Sequence, residues 1–516
     1  MKFLINSIGR KIPTSVNGKN ITPFQGAFAD PRKGSVATRP FTRTTSPSRR
    51  NKVVQGWNAL LDHLPLQDGM SISFHHHLHN GDKIINEILP RLAERGLKDL
   101  ILAPSELFPV HDPMAKYLET GLISRVEGSM NGEFGEACSR GKMKTTAVIR
   151  SHGGRYRAIQ DADLPIDVAF IAAPTADAMG NATGLKGPCA CGPMLYALPD
   201  ALYAKFVVII TDNLVPYPCI PWSIQGGNVD FVLMVDSIGR PEKIVPGTTR
   251  LTKSPTQLII AGYAAQFIEE AGIMQNGFSF QAGAGGISLA ATYFLSQRMR
   301  AAGVKASFAH GGVTQVLVDL LQENLVDYLI DLESFDLAAI ESCRENPRHV
   351  ESTPFTSYNQ HAKGCLADML DVSIMGATEF DLDFNVNVNT HSDGLLQHGT
   401  GGHSDSCAGA ACTIITAPSF RKRMPMIKEH VTTVTTPGEV VDVIITERGI
   451  AINPRREDLL DRLSKSSLPL ITMPKLIDTV HDITGIPDKP KFSERPVAVV
   501  EWRDGTMIDS IWEVLS

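Results

Sequence analysis

The stretch that decides the fold is Asn276-Gly-Phe-Ser-Phe-Gln-Ala-Gly-Ala-Gly-Gly-Ile-Ser-Leu-Ala-Ala-Thr-Tyr-Phe-Leu295. Its first part alternates like a strand, Gly283, Gly285 and Gly286 follow as a turn, and apolar residues then recur at helical spacing. Glycines in such a turn let a ligand approach the backbone, and the N–H groups that begin a helix attract an anion or an oxyanion. A tight turn without a ligand would show the same pattern, so the stretch alone leaves both interpretations open.

The composition is that of an ordinary globular protein. A chain of 516 residues is too long for one core and predicts two or three domains. The formal net charge of −6 argues against a dedicated nucleic-acid binder. No apolar run is long enough for a membrane span and no signal-peptide core is present, so we expect a cytoplasmic protein. The eight cysteines have neither zinc-site nor disulfide-framework spacing, which predicts reduced thiols and no metal.

Residues 1–45 are predicted to form a non-globular N-terminal arm. Between Pro31 and Lys52 the chain has no acidic residue and seven basic ones: Arg32, Lys33, Arg39, Arg43, Arg49, Arg50 and Lys52. Such a run is either a solvated linker or a docking segment for an acidic partner or an anionic cofactor.

After the arm the sequence repeats itself. Ser46 to Gly69 matches Ser254 to Gly277 at an offset of 208 residues, and each copy has Ser-Pro and Gly as helix start and stop signals. Later matches at offsets of 203 to 207 link residues 91–98 with 298–305, 118–123 with 321–326, and 167–175 with 371–379. We therefore predict two duplicated α/β domains, residues 46–245 and 246–516, each built on a mainly parallel sheet that binds ligands at the carboxyl ends of its strands.

The segment His75-His-His-Leu-His-Asn80 occupies the place in the first domain where the second has its glycine loop. One interpretation is a metal site, in which His75 and His77 share one side of an extended chain. Another is a loop that binds a substrate carboxylate, and the third is a structural role. No acidic or cysteine cluster accompanies the histidines, which favours carboxylate binding over a metal.

Two further segments concentrate unusual residues. Arg150-Ser-His-Gly-Gly-Arg-Tyr-Arg157 combines three arginines and a histidine with two glycines, and guanidinium groups pair with carboxylates. It is either a carboxylate-binding segment or an exposed basic loop. His398-Gly-Thr-Gly-Gly-His-Ser-Asp-Ser-Cys-Ala-Gly-Ala-Ala411 is a second glycine loop, which either binds an anion or is a plain connection.

Three motifs of the second domain together resemble the coenzyme A transferase family. They are Gln281-Ala-Gly-Ala-Gly-Gly-Ile287, Gly401-Gly-His-Ser-Asp405 and Thr446-Glu-Arg-Gly-Ile-Ala451, which stand in the family's order and spacing. Over nearly the whole chain the resemblance is closest to the alpha subunits of bacterial citrate lyases. It implies an α/β fold with two duplicated, mainly parallel-sheet domains of the coenzyme A transferase (NagB/RpiA-like) type.

The resemblance also implies an activity and partners. An acyl-carrier-protein (gamma) subunit carries an acetyl thioester on a phosphoribosyl-dephospho-coenzyme A prosthetic group, and citrate displaces acetate to give the citryl thioester. A citryl-lyase (beta) subunit then cleaves that product to acetyl thioester and oxaloacetate. The chain is expected to bind no cofactor tightly itself and to work in a hetero-oligomer.

The resemblance assigns roles to the candidate residues. Gly283, Gly285 and Gly286 are expected to act in catalysis as an oxyanion site. The coenzyme A-like group is expected to meet these glycines together with Gln281, Gly401, Gly402, His403 and Asp405. Citrate is expected to meet His75, His77, Asn80, Arg150, His152, Arg155 and Arg157.

One position departs from the wider family. Many relatives carry a nucleophilic glutamate eight residues before the aspartate of a Val-Asp-Leu stretch. Here that stretch is Val318-Asp-Leu320, and the corresponding position is Gly311. The resemblance therefore implies direct attack by the substrate carboxylate in a ternary complex, in which the protein supplies positioning and oxyanion stabilisation.

Two other functions stay open at this point. One is a transferase that uses free coenzyme A with another di- or tricarboxylate, such as citramalate. The other is a non-catalytic ligand-binding subunit, against which the glycine and arginine clusters at strand ends weigh.

Overall fold

The computed structural model describes residues 2–29, 51–244 and 250–515. The basic segment from Arg32 to Arg50 and the predicted domain boundary at residues 245 and 246 lie outside these ranges. No helix within them is both long and apolar enough to cross a membrane. Strands and helices are numbered along the chain.

Residues 2–29 form two short hairpins that pack against the C-terminal part of the chain. They pair β1 (Phe3–Ile5) with β2 (Lys11–Pro13) and β3 (Ser15–Val16) with β4 (Lys19–Asn20). Ile12 and Val16 are buried in a small cluster with Val499 and Met507. The prediction of a non-globular arm is therefore wrong for residues 2–29. Two-residue and three-residue strands leave no periodic pattern, and their burial depends on partners at the far end of the chain.

The first half is built on a seven-stranded parallel sheet. In spatial order its strands are β5 (Val53–Val54), β15 (Phe231–Met234), β13 (Phe206–Thr211), β10 (Val168–Ala173), β6 (Ser71–Phe74), β7 (Leu100–Pro104) and β8 (Ile123–Val126). The central strands β10 and β13 are almost entirely buried, as expected for a sheet covered on both faces.

The second half is built on an eight-stranded sheet, parallel except for its last strand. In spatial order its strands are β19 (His349–Glu351), β18 (Val326–Ser334), β17 (Ala306–Val313), β16 (Ser279–Ala282), β20 (Val372–Gly376), β23 (Thr413–Thr416), β27 (Val443–Thr446) and β28 (Gly449–Ile452).

The two sheets share one strand order. The series β15-β13-β10-β6-β7-β8 of the first corresponds to β27-β23-β20-β16-β17-β18 of the second. Small three-stranded sheets repeat in the same way: β12 (Ala182–Thr183), β11 (Thr175–Asp177) and β14 (Leu214–Val215) in one half, β22 (Val386–Asn387), β21 (Glu379–Asp381) and β26 (Ile427–Lys428) in the other. The prediction of a duplicated α/β fold with mainly parallel sheets is confirmed.

The C-terminal strands return to the first half. β29 (Phe492–Glu501) forms a hairpin with β30 (Met507–Val514) and pairs in parallel with β9 (Ala147–Ile149). The predicted assignment of every residue up to 516 to the second domain therefore differs from the observed pairing, because strand patterns do not reveal which sheet a strand joins. One further hairpin pairs β24 (Phe420–Arg421) with β25 (Met424–Pro425).

Helices cover the faces of the two large sheets. They are α1 (Trp57–His63), α2 (Ile84–Glu94), α3 (Lys116–Glu119), α4 (Gly132–Ser139), α5 (His152–Gln160), α6 (Leu198–Tyr203), α7 (Pro255–Glu270), α8 (Gly286–Ala302), α9 (Gln315–Gln322), α10 (Leu337–Glu345), α11 (Pro354–Tyr358), α12 (His403–Gly409), α13 (Glu457–Leu463) and α14 (Met473–Thr484).

The stretch from residue 276 to 295 folds as predicted, with β16, a glycine loop and then α8. Ala290, Ala291 and Leu295 are fully buried on the helix face that packs into the core of the second half. The helix ends at Gly303, whose left-handed backbone (φ +65°) lets its N–H bond the carbonyl of Arg300. The short glycine loop places the start of α8 next to the carboxyl end of β16.

Candidate active site

A cleft of about 550 Å³ lies between the two halves of the molecule. The second half contributes residues at the carboxyl ends of β16, β17, β18 and β20, where ligands bind in parallel sheets. The first half contributes the opposite wall: His79, Glu106, Phe108, His152 and Tyr196. The glycine loops 283–285 and 399–402 lie on the cleft, so two of the segments singled out from the sequence meet at one place.

The glycine loop before α8 exposes the start of the helix to this cleft. No side chain among the described residues caps α8, so the first N–H groups of the helix stay open. A Cβ atom at Gly285 would meet nothing within 4 Å, whereas one at Gly286 would come to 2.9 Å from the carbonyl oxygen of Arg250. Gly285 thus leaves room at the cleft, and Gly286 allows close backbone packing. Together with the helix dipole, this is a ready site for an anion or an oxyanion.

Gln281 forms part of the cleft floor. Its Oε1 accepts a hydrogen bond from His310 Nδ1 at 2.8 Å, and its Nε2 donates to the Tyr358 hydroxyl at 3.4 Å. Burial lowers the pKa of His310 to about 3, so the ring is neutral and its Nε2 accepts from the Ser357 hydroxyl. The amide of Gln281 is therefore held in one orientation. Gly311 lies beside it, with an added Cβ 3.3 Å from the Gln281 side chain.

The second glycine loop contributes backbone rather than charged side chains. Gly401 and Gly402 line the cleft, and an added Cβ at Gly402 would approach the Tyr358 hydroxyl to 2.7 Å. His403 also lines it, but burial lowers its pKa to about 4 and both ring nitrogens are engaged. Its Nε2 donates to the carbonyl of Gly376 at 2.9 Å, and its Nδ1 accepts from the Thr436 hydroxyl at 2.8 Å. We conclude that His403 shapes the loop.

Asp405, predicted to contact the coenzyme A-like group, does not line the cleft. It is fully buried, and its carboxylate accepts hydrogen bonds from the N–H of Gly153 and the hydroxyl of Ser151 at the start of α5. This geometry therefore lends no support to the predicted contact of Asp405 with the coenzyme A-like group. A loop rich in small residues looks the same in sequence whether its carboxylate faces a ligand or a neighbouring helix.

His152, the first residue of α5, does reach the cleft. Its backbone N–H donates to the carbonyl of Gly401 at 2.9 Å, which ties it to the second glycine loop. Its ring packs against Tyr196, with ring centroids 4.6 Å apart. Burial lowers the pKa of His152 to about 3, so a neutral imidazole faces the cleft.

The three arginines predicted to bind citrate are buried and paired within the protein. Arg155 makes a two-pronged contact with Asp200, at 2.8 Å for each hydrogen bond. Arg150 pairs with Glu127 and Glu501, and Arg157 with Glu501, Asp161 and Asp163. None of the three lines the cleft; Arg150 lines a separate cavity of about 290 Å³ near the N-terminal hairpins. The geometry therefore lends no support to the predicted citrate contacts of Arg150, Arg155 and Arg157, because each guanidinium group already has carboxylate partners within the protein.

The histidine side chains of residues 75–79 point in two different directions. His75 lies 3.1 Å from Asp200, and His77 donates from Nε2 to the carbonyl of Ala172 at 2.7 Å, so both face the interior. Asn80 is not part of the cleft wall either. His76 and His79, which the sequence did not single out, instead contact the carboxylate of Glu333. None of His75, His77 and Asn80 lines the cleft, so the geometry lends no support to their predicted citrate contacts, although the run itself borders the cleft.

One group of possible metal ligands lies behind the cleft. Asp331, Cys343 and His349 place one ligand atom each within 4.8 Å of one another. Both nitrogens of His349 already have partners, Ser342 Oγ at 2.9 Å and Asp331 at 3.2 Å. Because both nitrogens of His349 are already engaged, no metal is assigned to this group.

Residues 50–514 match the family described as citrate lyase, alpha subunit (CitF). The chain belongs to the citrate lyase alpha subunit family. It is 44% identical over 485 residues to the citrate lyase alpha chain of Klebsiella pneumoniae, covering 94% of this chain and 96% of that one. A solved structure described as the citrate lyase alpha subunit of Streptococcus mutans in complex with citrate has 40% identity and a TM-score of 0.95, covering 99% of this chain and 100% of that one.

A more distant structure shares the fold. The 4-hydroxybutyrate CoA-transferase of Porphyromonas gingivalis has 16% identity and a TM-score of 0.51, covering 82% of this chain and 96% of that one. The predicted citrate lyase alpha subunit and its coenzyme A transferase-like fold are thereby confirmed. The alternatives, a transferase for another carboxylate and a non-catalytic subunit, are not favoured.

Sequence reasoning did not assign a role to Glu333, a carboxylate that lines the cleft. It lies at the end of β18 opposite Gly312, next to the position where the wider transferase family has its glutamate. The spacing rule pointed to Gly311 on the neighbouring strand. Only the register of β17 against β18 brings Glu333 to the same wall, and that register is not visible in a single sequence.

Proposed function

We propose that this chain exchanges acetate for citrate on the thioester of an acyl-carrier-protein subunit, as the transferase of a citrate lyase complex. The observation that carries the proposal is the uncapped start of α8 at a cleft shared by both halves. Transfer between a thioester and a carboxylate passes through tetrahedral intermediates whose oxygen becomes negatively charged. N–H groups fixed in that position stabilise the charge without reorganisation at the moment of reaction.

The residues around the start of α8 have different roles in the proposed reaction. The thioester carbonyl oxygen binds at the N–H groups that follow Gly285, where no side chain intervenes. Gln281, whose amide is held by His310, contacts the reacting carbonyl or the incoming carboxylate. The backbone of Gly401 and Gly402 contacts the phosphoribosyl-dephospho-coenzyme A arm of the carrier.

Catalysis then depends on holding the substrate carboxylate close to the acetyl thioester. The substrate carboxylate attacks the acetyl thioester carbon while the oxyanion is held at α8, and a mixed anhydride and a thiolate form. The thiolate attacks the citryl carbonyl of the anhydride and expels acetate. Bringing both reactants into one cleft replaces an encounter in solution by an intramolecular step.

The partners follow from the family. The proposed complex joins this alpha chain to an acyl-carrier-protein (gamma) subunit and to a citryl-lyase (beta) subunit in a hetero-oligomer. The substrate arm belongs to the carrier, so the alpha chain needs no tightly bound cofactor of its own. Acetyl coenzyme A serves as the small-molecule mimic of the carrier thioester.

One assay tests the proposal. The purified chain is incubated with acetyl coenzyme A and either citrate, citramalate or succinate, and the acyl coenzyme A products are separated by mass. We expect citryl coenzyme A and acetate with citrate, and little product with the other two acids. Preferential transfer to citramalate would assign the chain to another substrate, and no transfer to any acid would refute transferase activity.

A further inference from the structure

The cleft lacks the charged residues that usually bind a polyanion. None of its described lining residues is lysine or arginine, and two of them, Glu106 and Glu333, are acidic. The arginines expected to bind citrate are paired with internal carboxylates, as described above. Among the described residues, the positive charge available to a polycarboxylate in this cleft therefore lies on histidines and on the start of α8.

Two of the four histidines among the described cleft residues are neutral. Burial lowers the pKa of His152 to about 3 and that of His403 to about 4. His398 lies at the mouth of the cleft, where its side chain is 54% exposed and 3.4 Å from Glu106. An interaction between two such partly exposed groups is weakened by solvent.

His79 lines the cleft, and both of its ring nitrogens contact oxygen atoms. Its Nδ1 lies 2.5 Å from the carbonyl oxygen of Ile244, which can only accept a hydrogen bond, so this nitrogen carries a proton. Its Nε2 contacts the carboxylate of Glu333. His76 and His79 hold the pKa of Glu333 well below its usual range in spite of burial.

His76 adds a second ring to the same carboxylate. Burial alone would lower the pKa of His76, but the Glu333 carboxylate outweighs it and raises the pKa. Its Nε2 lies 3.3 Å from Glu333, yet this buried nitrogen has no aligned hydrogen-bond acceptor among the described residues. The His76 ring is itself fully buried and packs against His152 and Tyr196, which line the cleft.

The backbone at His79 is also unusual. Its φ of +48° lies in the left-handed region, and its side chain is only 1% exposed. The ring stands edge-on to Phe108, whose centroid is 5.4 Å away, and Phe108 lines the cleft as well. A side chain held in a sparsely populated conformation, with both ring nitrogens in contact with neighbours, is fixed in one place and orientation.

We infer that His76, Glu333 and His79 form the carboxylate-recognition pole of the cleft. In this pole both nitrogens of each ring carry a proton, so that two imidazolium groups and one carboxylate give the cluster one net positive charge. A substrate carboxylate is drawn to this charge at His79, which lines the cleft, while Glu333 acts as a positioning residue that contacts both rings. The identity of the ligand as citrate rests on the proposed function; the binding pole itself does not.

Substitution at position 79 tests the net charge. His79→Asn leaves the cluster neutral, and asparagine tolerates the left-handed backbone. His79→Arg keeps the positive charge. His63→Gln, on the exposed helix α1, is the matched loss of a histidine away from the cleft. Citrate binding is measured by calorimetry on the full chain, and the Michaelis constants for citrate and acetyl coenzyme A are measured separately.

We expect His79→Asn to weaken citrate binding at least about tenfold, the effect of losing an interaction with a charged group. Its Michaelis constant for acetyl coenzyme A should stay unchanged, and His79→Arg should recover most of the citrate affinity. The inference is overturned if His79→Asn melts like the wild type and binds citrate equally well, or if His79→Arg binds citrate as weakly as His79→Asn. If the wild type binds citrate through His79 but transfers no acyl group, the proposed function fails and the binding pole stands.

Discussion

The carboxylate of Asp405 accepts a hydrogen bond from the backbone N–H of Gly153 at 2.9 Å, across 252 residues of chain. It also accepts one from the Ser151 hydroxyl at 3.0 Å. Both donors stand at the start of α5, so a carboxylate of the second half caps a helix of the first. The same contact places His152 over the cleft, which makes the geometry of the cleft depend on how the two halves are joined.

The charge of Asp405 should make stability depend on pH. Burial raises its pKa to about 6 from an ordinary value of 3.8, and Arg503 offsets this only in part. Between these values the folded protein binds more protons than the unfolded chain, so the stabilising contribution is complete below pH 3.8 and is lost as the pH rises through about 6. Asp405→Asn removes this loss.

Thermal unfolding at about pH 4.5 and about pH 7.5 measures the effect. We expect the melting temperature of Asp405→Asn, relative to the wild type, to rise from the lower to the higher pH. Asp478→Asn, an exposed position on α14, should keep a constant difference from the wild type. A relative melting temperature of Asp405→Asn that falls with pH would contradict the prediction.

A side chain at Gly285 should block transfer without unfolding the protein. The added Cβ of Gly285→Val projects into open space at the start of α8, where the oxyanion is proposed to bind. We expect loss of transfer by two or more decades, the order seen when one oxyanion donor is removed. Citrate-dependent release of acetate from acetyl coenzyme A gives the rate.

Two other glycines provide the comparison. Gly262→Val, on α7, also meets nothing within 4 Å and should retain activity, whereas Gly286→Val places its Cβ 2.9 Å from the Arg250 carbonyl and should lose stability as well. Near-normal turnover of a folded Gly285→Val variant would leave the loop as a tight turn without a catalytic role.

Removal of Arg155 should act on stability more than on citrate affinity. Its guanidinium is bound to Asp200 by two hydrogen bonds in a fully buried setting, and Asp200 also contacts His75. Arg155→Ala leaves a buried carboxylate without its main partner, which typically costs about 3–5 kcal/mol. Urea unfolding of Arg155→Ala, Asp200→Ala and the double variant measures this cost.

The double variant separates pairing from other effects. We expect it to lose less stability than the sum of the two single variants, because each single variant leaves an unpaired charge. An Arg155→Ala variant with wild-type stability and a strongly raised Michaelis constant for citrate would contradict this prediction and show that Arg155 contacts the substrate.

The fold was predictable because it rests on local and repeated patterns. The strand, glycine loop and helix from residue 276 to 295 each carry their own signal, and the duplication gave six strands of one large sheet a counterpart in the other. The site was less predictable. Alternation along an extended run suggested His75 with His77, but a 3₁₀ turn at His79–Gly81 changes the direction of the chain and brings His79 to the cleft.

The sequence did not predict which charged residues pair with each other over long distances along the chain. Arg150 is bound by Glu501, which lies on β29 near the end of the chain, and Glu333 reaches the cleft through the register of β18. Neither relation leaves a trace in residue spacing. A glycine loop carries its own conformational signal, whereas an arginine gives no sign of which carboxylate it meets.

The last prediction concerns the chemical mechanism. Gly311 supplies no nucleophile, and the nearby carboxylate is Glu333, which His76 and His79 hold as a stable anion. A carboxylate with a strongly lowered pKa and two imidazole partners is a weak nucleophile, so we expect no acyl-enzyme on Glu333. Initial rates should follow a sequential pattern that requires citrate and acetyl thioester together.

Two measurements test whether an acyl-enzyme forms. Incubation with radiolabelled acetyl coenzyme A alone should leave no hydroxylamine-sensitive label on the chain, and Glu333→Gln should still turn over at saturating citrate. The same variant is informative because glutamine keeps the shape of Glu333 but cannot form a stable acyl intermediate. Ping-pong kinetics with a labelled Glu333 peptide, and complete loss of transfer in Glu333→Gln, would show that the carboxylate of β18 has taken over the role of the missing family glutamate. Sequential kinetics without label would leave the substrate carboxylate as the attacking group, held in place by the charged pole and the start of α8.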